Sequence, residues 1–172
     1  MHKVVVIDTE GDGLAGLQPD PDKKQATCFH VLGYTYDGVK VETTHDDTDM
    51  CNLLYRWQRE NRKIVIHNAM RHDVRLFRDL LGVELPSHLY VDTLALSWTL
   101  NHHRGKADHG LGSYGEDFGV PKPDVEFWEQ QGGQTEAEFL EIMRNRVTED
   151  VKINWKLWKQ LEGKLGELYG TA

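Results

Sequence analysis

The sequence predicts an α/β fold, a mixed sheet of five strands flanked by helices. Three observations carry this prediction. The apolar run VVVI at 4–7 has no alternation, so it reads as a strand covered on both faces, as in the middle of an α/β sheet. Two further strand-like stretches follow, and then strand-like and helix-like patterns alternate, which describes a meander joined to strand-helix units. The length of 172 residues suits one domain with a full core, so residues 1–172 are expected to form a single domain.

Each element has its own signal. QPDPDKKQ at 18–25, with two prolines, reads as a polar loop. CFHVLGYTY and VKVETTH read as two strands around the turn Asp37-Gly38. Met50, Leu53, Leu54 and Trp57 recur at helical spacing and place a helix over 48–60. KIVIH at 63–67 is a second buried-looking strand, and the spacing then predicts a helix from Met70 to Leu81, closed by Gly82. HLYVD forms a short strand ending at Asp92, which caps the helix TLALSWTL. A basic loop, NHHRGKADHG, leads to a short helical piece around Tyr114 to Phe118. From about Thr135 a long helix runs on, with apolar positions Leu140, Met143, Val147, Val151, Trp158, Leu161, Leu165 and Leu168.

The bulk numbers narrow the function. No apolar stretch approaches the roughly 20 residues that span a bilayer, and the N-terminus has no signal-peptide pattern, so a cytoplasmic setting without membrane contact is expected. Without a secretion signal, Cys28 and Cys51 read as two thiols rather than a bridge. A net charge of -8 argues against a broad basic surface for duplex nucleic acid, but not against an acidic site that handles phosphates through bound metal.

The acids point to that second possibility. Asp8 and Glu10 follow the first strand two residues apart, so in extended chain their side chains share a face. Two adjacent carboxylates repel unless a cation neutralises them, and hard oxygen ligands suit Mg²⁺ or Mn²⁺. The other reading is a strand-end turn, since Gly11, Asp12 and Gly13 come next. Asp73 lies at the edge of the apolar stripe Met70, Val74, Phe77, Leu81, where it is either a metal ligand or a surface charge near Arg71, Arg75 and Arg78. Asp150 lies three residues after Val147, as a ligand or as the ion-pair partner of Arg146.

Taken in order, DTE in a first strand, HNAMRHD before a helix, DTLALS after a later strand and an acid in the terminal helix resemble the DEDD superfamily of 3'-5' exonucleases. VIHNAMRHDVRLF, YVDTLALSWTL, HGLGSYGEDFGV and RVTEDVKINWKLWKQL are most similar to the proofreading exonuclease domain of phage family A DNA polymerases. The resemblance implies a ribonuclease H-like mixed five-stranded sheet, two Mg²⁺ or Mn²⁺ ions, and hydrolysis at the 3' end of single-stranded DNA. It carries the four metal-binding places onto Asp8, Glu10, Asp73 and Asp150. Asn68 and His67 are expected to touch the substrate end or brace its loop, and Arg104, Lys106 and Tyr114 to hold a strand by charge and stacking.

One position departs from the family. Its members place a Tyr four residues, or a His five residues, before the last Asp to orient the attacking water; here those positions hold Arg146 and Asn145. A guanidinium cannot act as a base, but its fork can clamp a phosphate, so Arg146 joins the four acids as a catalytic candidate. His72, His102, His103 and His109 lie in segments that the resemblance brings near the site and are the alternative candidates for orienting the water. The expected function is a metal-dependent 3'-5' exonuclease for proofreading or DNA turnover, working with a separately encoded DNA polymerase. A catalytically attenuated binding or regulatory module of the same fold, and an exoribonuclease, are the alternatives.

Overall fold

The computed structural model describes residues 3–15 and 24–170; most of the expected loop at 18–25 lies outside the described residues. Five strands form one sheet in the order β3-β2-β1-β4-β5. They are β1 (Val4–Gly11), β2 (Phe29–Thr35), β3 (Glu42–Thr44), β4 (Lys63–Ile66) and β5 (Tyr90–Asp92). The first three pair antiparallel as a meander, and β4 and β5 add in parallel, so the sheet is mixed as its sequence predicts. β1 is central and outruns its apolar core: Asp8 pairs with Gly33 and Glu10 with Val31, which keeps both acids inside the strand.

The pleat of β1 sorts its residues between two layers. Val5 and Ile7 pack with Met50, Leu54 and Trp57 of α1 (Asp47–Arg59) and Leu76 and Phe77 of α2 (Asp73–Leu81). Val6 packs on the other face with Val65 and Trp158 of the long α5 (Glu136–Tyr169). By parity, Asp8 and Glu10 share the α5 face, while Thr9 shares the α1/α2 face. α3 (Thr93–Leu100) and α4 (Leu111–Phe118) pack against α5. Gly33 lets α5 approach the sheet closely, because a Cβ there would stand 3.0 Å from a methyl of Val147.

The helix ends follow their local chemistry. Asp46 caps α1 by accepting from the Asp49 amide, Gly82 ends α2 in the left-handed region, and Thr135 forms a capping box with Glu138. α2 begins at Asp73, three residues later than the spacing predicts. The reason is a tight turn in which Asn68 takes φ 64° and the Asp92 carboxylate accepts from the amides of Asn68 and Met70. Met70 is thus exposed and no part of the apolar stripe. In α5 the buried stripe begins at Phe139 and ends at Leu161, leaving Leu168 in solvent. Both cysteines are free thiols. Among the described residues no helix is long and apolar enough to cross a membrane.

Candidate active site

Parity along β1 and the turn of α5 bring three carboxylates together. Asp8, Glu10 and Asp150 each offer an oxygen within 4.8 Å of the others, and all three are buried. Two hydrophobic contacts set this meeting: Val6 against Trp158 and the Val31 cluster against Met143 and Val147 hold α5 so that Asp150 faces the strand. Asp73 is also buried but belongs to α2, across β1, where its Oδ1 accepts a 2.6 Å hydrogen bond from Thr9 Oγ1. It stands close enough to Asp8 and Glu10 to discourage their ionisation. The structure therefore brings together three of the four expected ligands and keeps the fourth beside them.

Electrostatics mark the cluster as incomplete by itself. Burial, and then Asp150, Glu10 and Asp73 in that order, push the Asp8 carboxyl well above the usual carboxylate range. Glu10 is pushed up to about 8, by burial and by Asp150, against the opposing pull of Arg146 and Lys122. Burial likewise raises Asp73, offset by His72 and the Thr9 hydroxyl. Asp150 Oδ1 is a buried acceptor with no hydrogen-bond partner among the described residues. A divalent cation with oxygen ligands would satisfy Asp8, Glu10 and Asp150 at once, so this donor set fits Mg²⁺ or Mn²⁺.

Two cations border the acids. Lys122 Nζ lies 2.7 Å from Asp150 Oδ2, and Arg146 Nε lies 3.3 Å from that same oxygen and 3.5 Å from Glu10 Oε1. Arg146 Nε makes a hydrogen bond to neither carboxylate. Its Nη1 donates to the Pro123 carbonyl, and its guanidinium sits 5.7 Å from the centre of the Trp128 ring. The sequence left open whether Arg146 pairs with Asp150 or faces the site; it does both. Lys122 went unnoticed in the sequence, its only signal being one lysine in the proline-bounded stretch VPKPD.

Beyond Glu10 opens a cleft of about 590 Å³ whose lining includes Leu14, His72, Phe127 and Trp128. Phe127 and Trp128 are half exposed there. Beneath the cleft, Asp12 accepts from Thr27 and from the Thr27 and Cys28 amides and pairs with Lys24 at 2.9 Å. Burial opposes ionisation of Asp12, yet these donors hold its carboxyl below the ordinary range. It serves the loop, not the cluster.

The other candidates divide. His67 Nδ1 lies 3.0 Å from Thr93 Oγ1, whose hydroxyl donates to Asn154 at 2.7 Å, and burial lowers His67 to about 4 despite Asp92. His67 and Asn68 thus belong to the turn before α2, with Asn68 tied to Asp92. Tyr114 corrects the expectation of a stacking platform: it is 1 % exposed, and its hydroxyl joins Ser97 and Asn101 in a buried network. An aromatic ring packed in the core offers no face to a base. Arg104 is similarly occupied, donating to the Asp108 carbonyl, Ser113 and Asp117 while lying over Tyr114. Lys106 is exposed on the short 3-10 turn Lys106–His109. His109 belongs to the Tyr114 network through Ser97, whereas His72 lines the cleft beside Glu10.

No family model and no curated protein matches the chain. Among solved structures it is similar to NrnC of Brucella melitensis with bound Mg²⁺, at TM-score 0.63 and 16% identity over 99% of this chain and 77% of that one. The likeness to the same protein bound to pGG has TM-score 0.64 and 17% identity, over 99% and 76%. The catalytic core of RRP6 from Trypanosoma brucei follows at TM-score 0.53 and 14% identity, over 92% and 42%. These likenesses establish a shared ribonuclease H-like fold.

Proposed function

We propose that this chain is a metal-dependent 3'-5' exonuclease that hydrolyses phosphodiester bonds at the 3' ends of single-stranded nucleic acid. One observation carries the reading: Asp8, Glu10 and Asp150, buried within 4.8 Å of one another with an unpartnered oxygen on Asp150. Burying three acids with only Lys122 and Arg146 to offset them is unfavourable, and fold stability gives no reason to keep them. Two Mg²⁺ or Mn²⁺ ions supply, when bound, the charge that lowers the pKa of an attacking water and stabilises a departing 3' oxygen.

The chain's own residues do the rest. Asp8, Glu10 and Asp150 hold the metal side of the site, and Asp73 supports it from across β1 through Thr9. Arg146 and Lys122 bring positive charge to the edge where a phosphate arrives. The cleft past Glu10, with Leu14 and the half-exposed Phe127 and Trp128, offers apolar and aromatic surface to a terminal base. Site residues recruited this way need no broad basic surface, which agrees with the net charge of -8.

DNA is the first substrate reading, from the resemblance to phage polymerase proofreading domains, with a separate polymerase as partner. The likeness to NrnC bound to pGG favours a second reading, in which short oligonucleotides, ribonucleotides included, are the substrate. Incubation of the protein with 5'-labelled single-stranded DNA and RNA in Mg²⁺, Mn²⁺ or EDTA tests both. Ladders shortened from the 3' end, in metal only, are the expected result. Endonucleolytic products, or equal cleavage in EDTA, refute the proposal.

A further inference from the structure

We propose that Lys122 is a phosphate-binding residue that rests on Asp150 and is released to the substrate phosphate when a metal ion takes over Asp150. The inference rests on the metal-site reading above and deepens it.

Its first ground is position. Lys122 lies in the irregular stretch between Gly119 and Thr135, and its ammonium reaches 2.7 Å from Asp150 Oδ2 with a quarter of the side chain exposed. The same side chain lines a cleft of about 560 Å³ together with Gly112, Gly119 and Arg146. An ammonium on four flexible methylenes can leave one anion and meet another in that open space without moving the backbone. Arg146 is less free, because its guanidinium is held by the Pro123 carbonyl and lies over Trp128. By holding Pro123, Arg146 also keeps the neighbouring Lys122 at the edge of the cluster.

The second ground is charge. Asp8, Glu10 and Asp150 cluster at this point, with Asp73 across β1, and among the described residues Lys122 and Arg146 are cations that pair with the cluster. Two divalent ions, carrying four positive charges, would more than neutralise the three clustered carboxylates. Lys122 then stands beside a dication with its former partner engaged, a repulsive position. The anion that restores the balance is the phosphate of a bound nucleotide. Metal and phosphate should therefore bind cooperatively, each strengthening the other by the same factor.

Calorimetry on the intact chain tests this with two probes that need no turnover: Mn²⁺ alone, and UMP or dTMP in saturating Mn²⁺, neither of which has a phosphodiester to cleave. Lys122→Met should bind Mn²⁺ about tenfold more tightly than the parent, having lost the competing cation. It should bind the monophosphate about tenfold more weakly, the worth of one charge-assisted hydrogen bond. Lys122→Arg should keep both affinities near the parent's. Lys122→Gln serves as a second neutral variant, and circular dichroism checks that each is folded. Weaker Mn²⁺ binding in both neutral variants would make Lys122 a brace for Asp150 and overturn the proposal. Unchanged monophosphate affinity would overturn it as well. If the parent binds no Mn²⁺, or if Asp8→Asn leaves Mn²⁺ binding intact, the metal-site reading itself falls and takes this one with it.

Discussion

Replacing Asp8 by asparagine should stabilise the metal-free protein and destroy its response to metal. Asp8 is the purest test of the cluster, because the direct ion pairs go to Glu10 and Asp150 and none of those described reaches Asp8. Its neighbours' oxygens lie within 4.8 Å. Two full charges at that spacing repel by about 3.5 kcal/mol when the effective dielectric is near 20. Proton uptake relieves part of this, since Glu10 is raised to about 8, and Lys122 offsets more. The net gain on neutralising Asp8 at pH 8 in EDTA is therefore about 1 to 3 kcal/mol, or roughly 3 to 10 °C in Tm for a chain of this size.

The pH dependence has a definite sign. Raised carboxyl groups bind more protons in the folded chain than in the unfolded one, so metal-free stability falls as pH rises from the ordinary glutamate value of 4.5 to about 8. Asp8→Asn removes one source of that slope and should flatten it. In Mn²⁺ at about a hundred times Kd the parent should gain about 2.7 kcal/mol, and the variant little. Thermal melts in EDTA and in Mn²⁺ between pH 5 and 9 read all of this. Adding metal should raise the Tm of the parent by several degrees and leave that of the variant nearly unchanged. An Asp8→Asn protein that melts below the parent in EDTA, or rises with Mn²⁺ as the parent does, refutes the reasoning.

Other perturbations probe the rest of the site. Arg146→Ala should lower turnover about a hundredfold, as expected for losing charge stabilisation at the phosphate. Arg146→Lys should recover little of it, because a point charge cannot serve Pro123 and two carboxylates together; single-turnover rates decide, and a fully active Arg146→Lys contradicts the role of the fork. Thr9→Val keeps the volume but strands a buried Asp73 oxygen that accepts at 2.6 Å, so chemical denaturation should show a loss of about 1 to 3 kcal/mol. Asp92→Ala removes the cap of α3 and the acceptor for the Asn68 and Met70 amides, with an expected loss of about 1 to 2 kcal/mol. An unchanged denaturation midpoint in either variant contradicts the contact it removes.

Much of the site is legible in the chain because it depends on period. Alternation along β1 assigns Asp8 and Glu10 to one face without any knowledge of what covers it, and helical spacing assigns Asp150 to the buried stripe of α5. Caps are local too, so Asp92 and Gly82 were readable as they stand. Tertiary structure decided what period cannot express. Thr9 takes Asp73 because the two faces of one strand meet different helices. Lys122 reaches Asp150 across 28 positions of sequence from an irregular stretch that has no repeating pattern. Tyr114, in the short helix after a basic loop, reads in sequence as a stacking platform, yet Ser97 and Asn101 draw its hydroxyl into the core. The start of α2 moved because a carboxylate on β5, not a propensity in the helix, ties down the turn before it. Periodicity is a property of neighbours along the chain, and it names the face a side chain uses. Its partner on that face is chosen by how distant elements pack, and that choice exists only once the chain has folded.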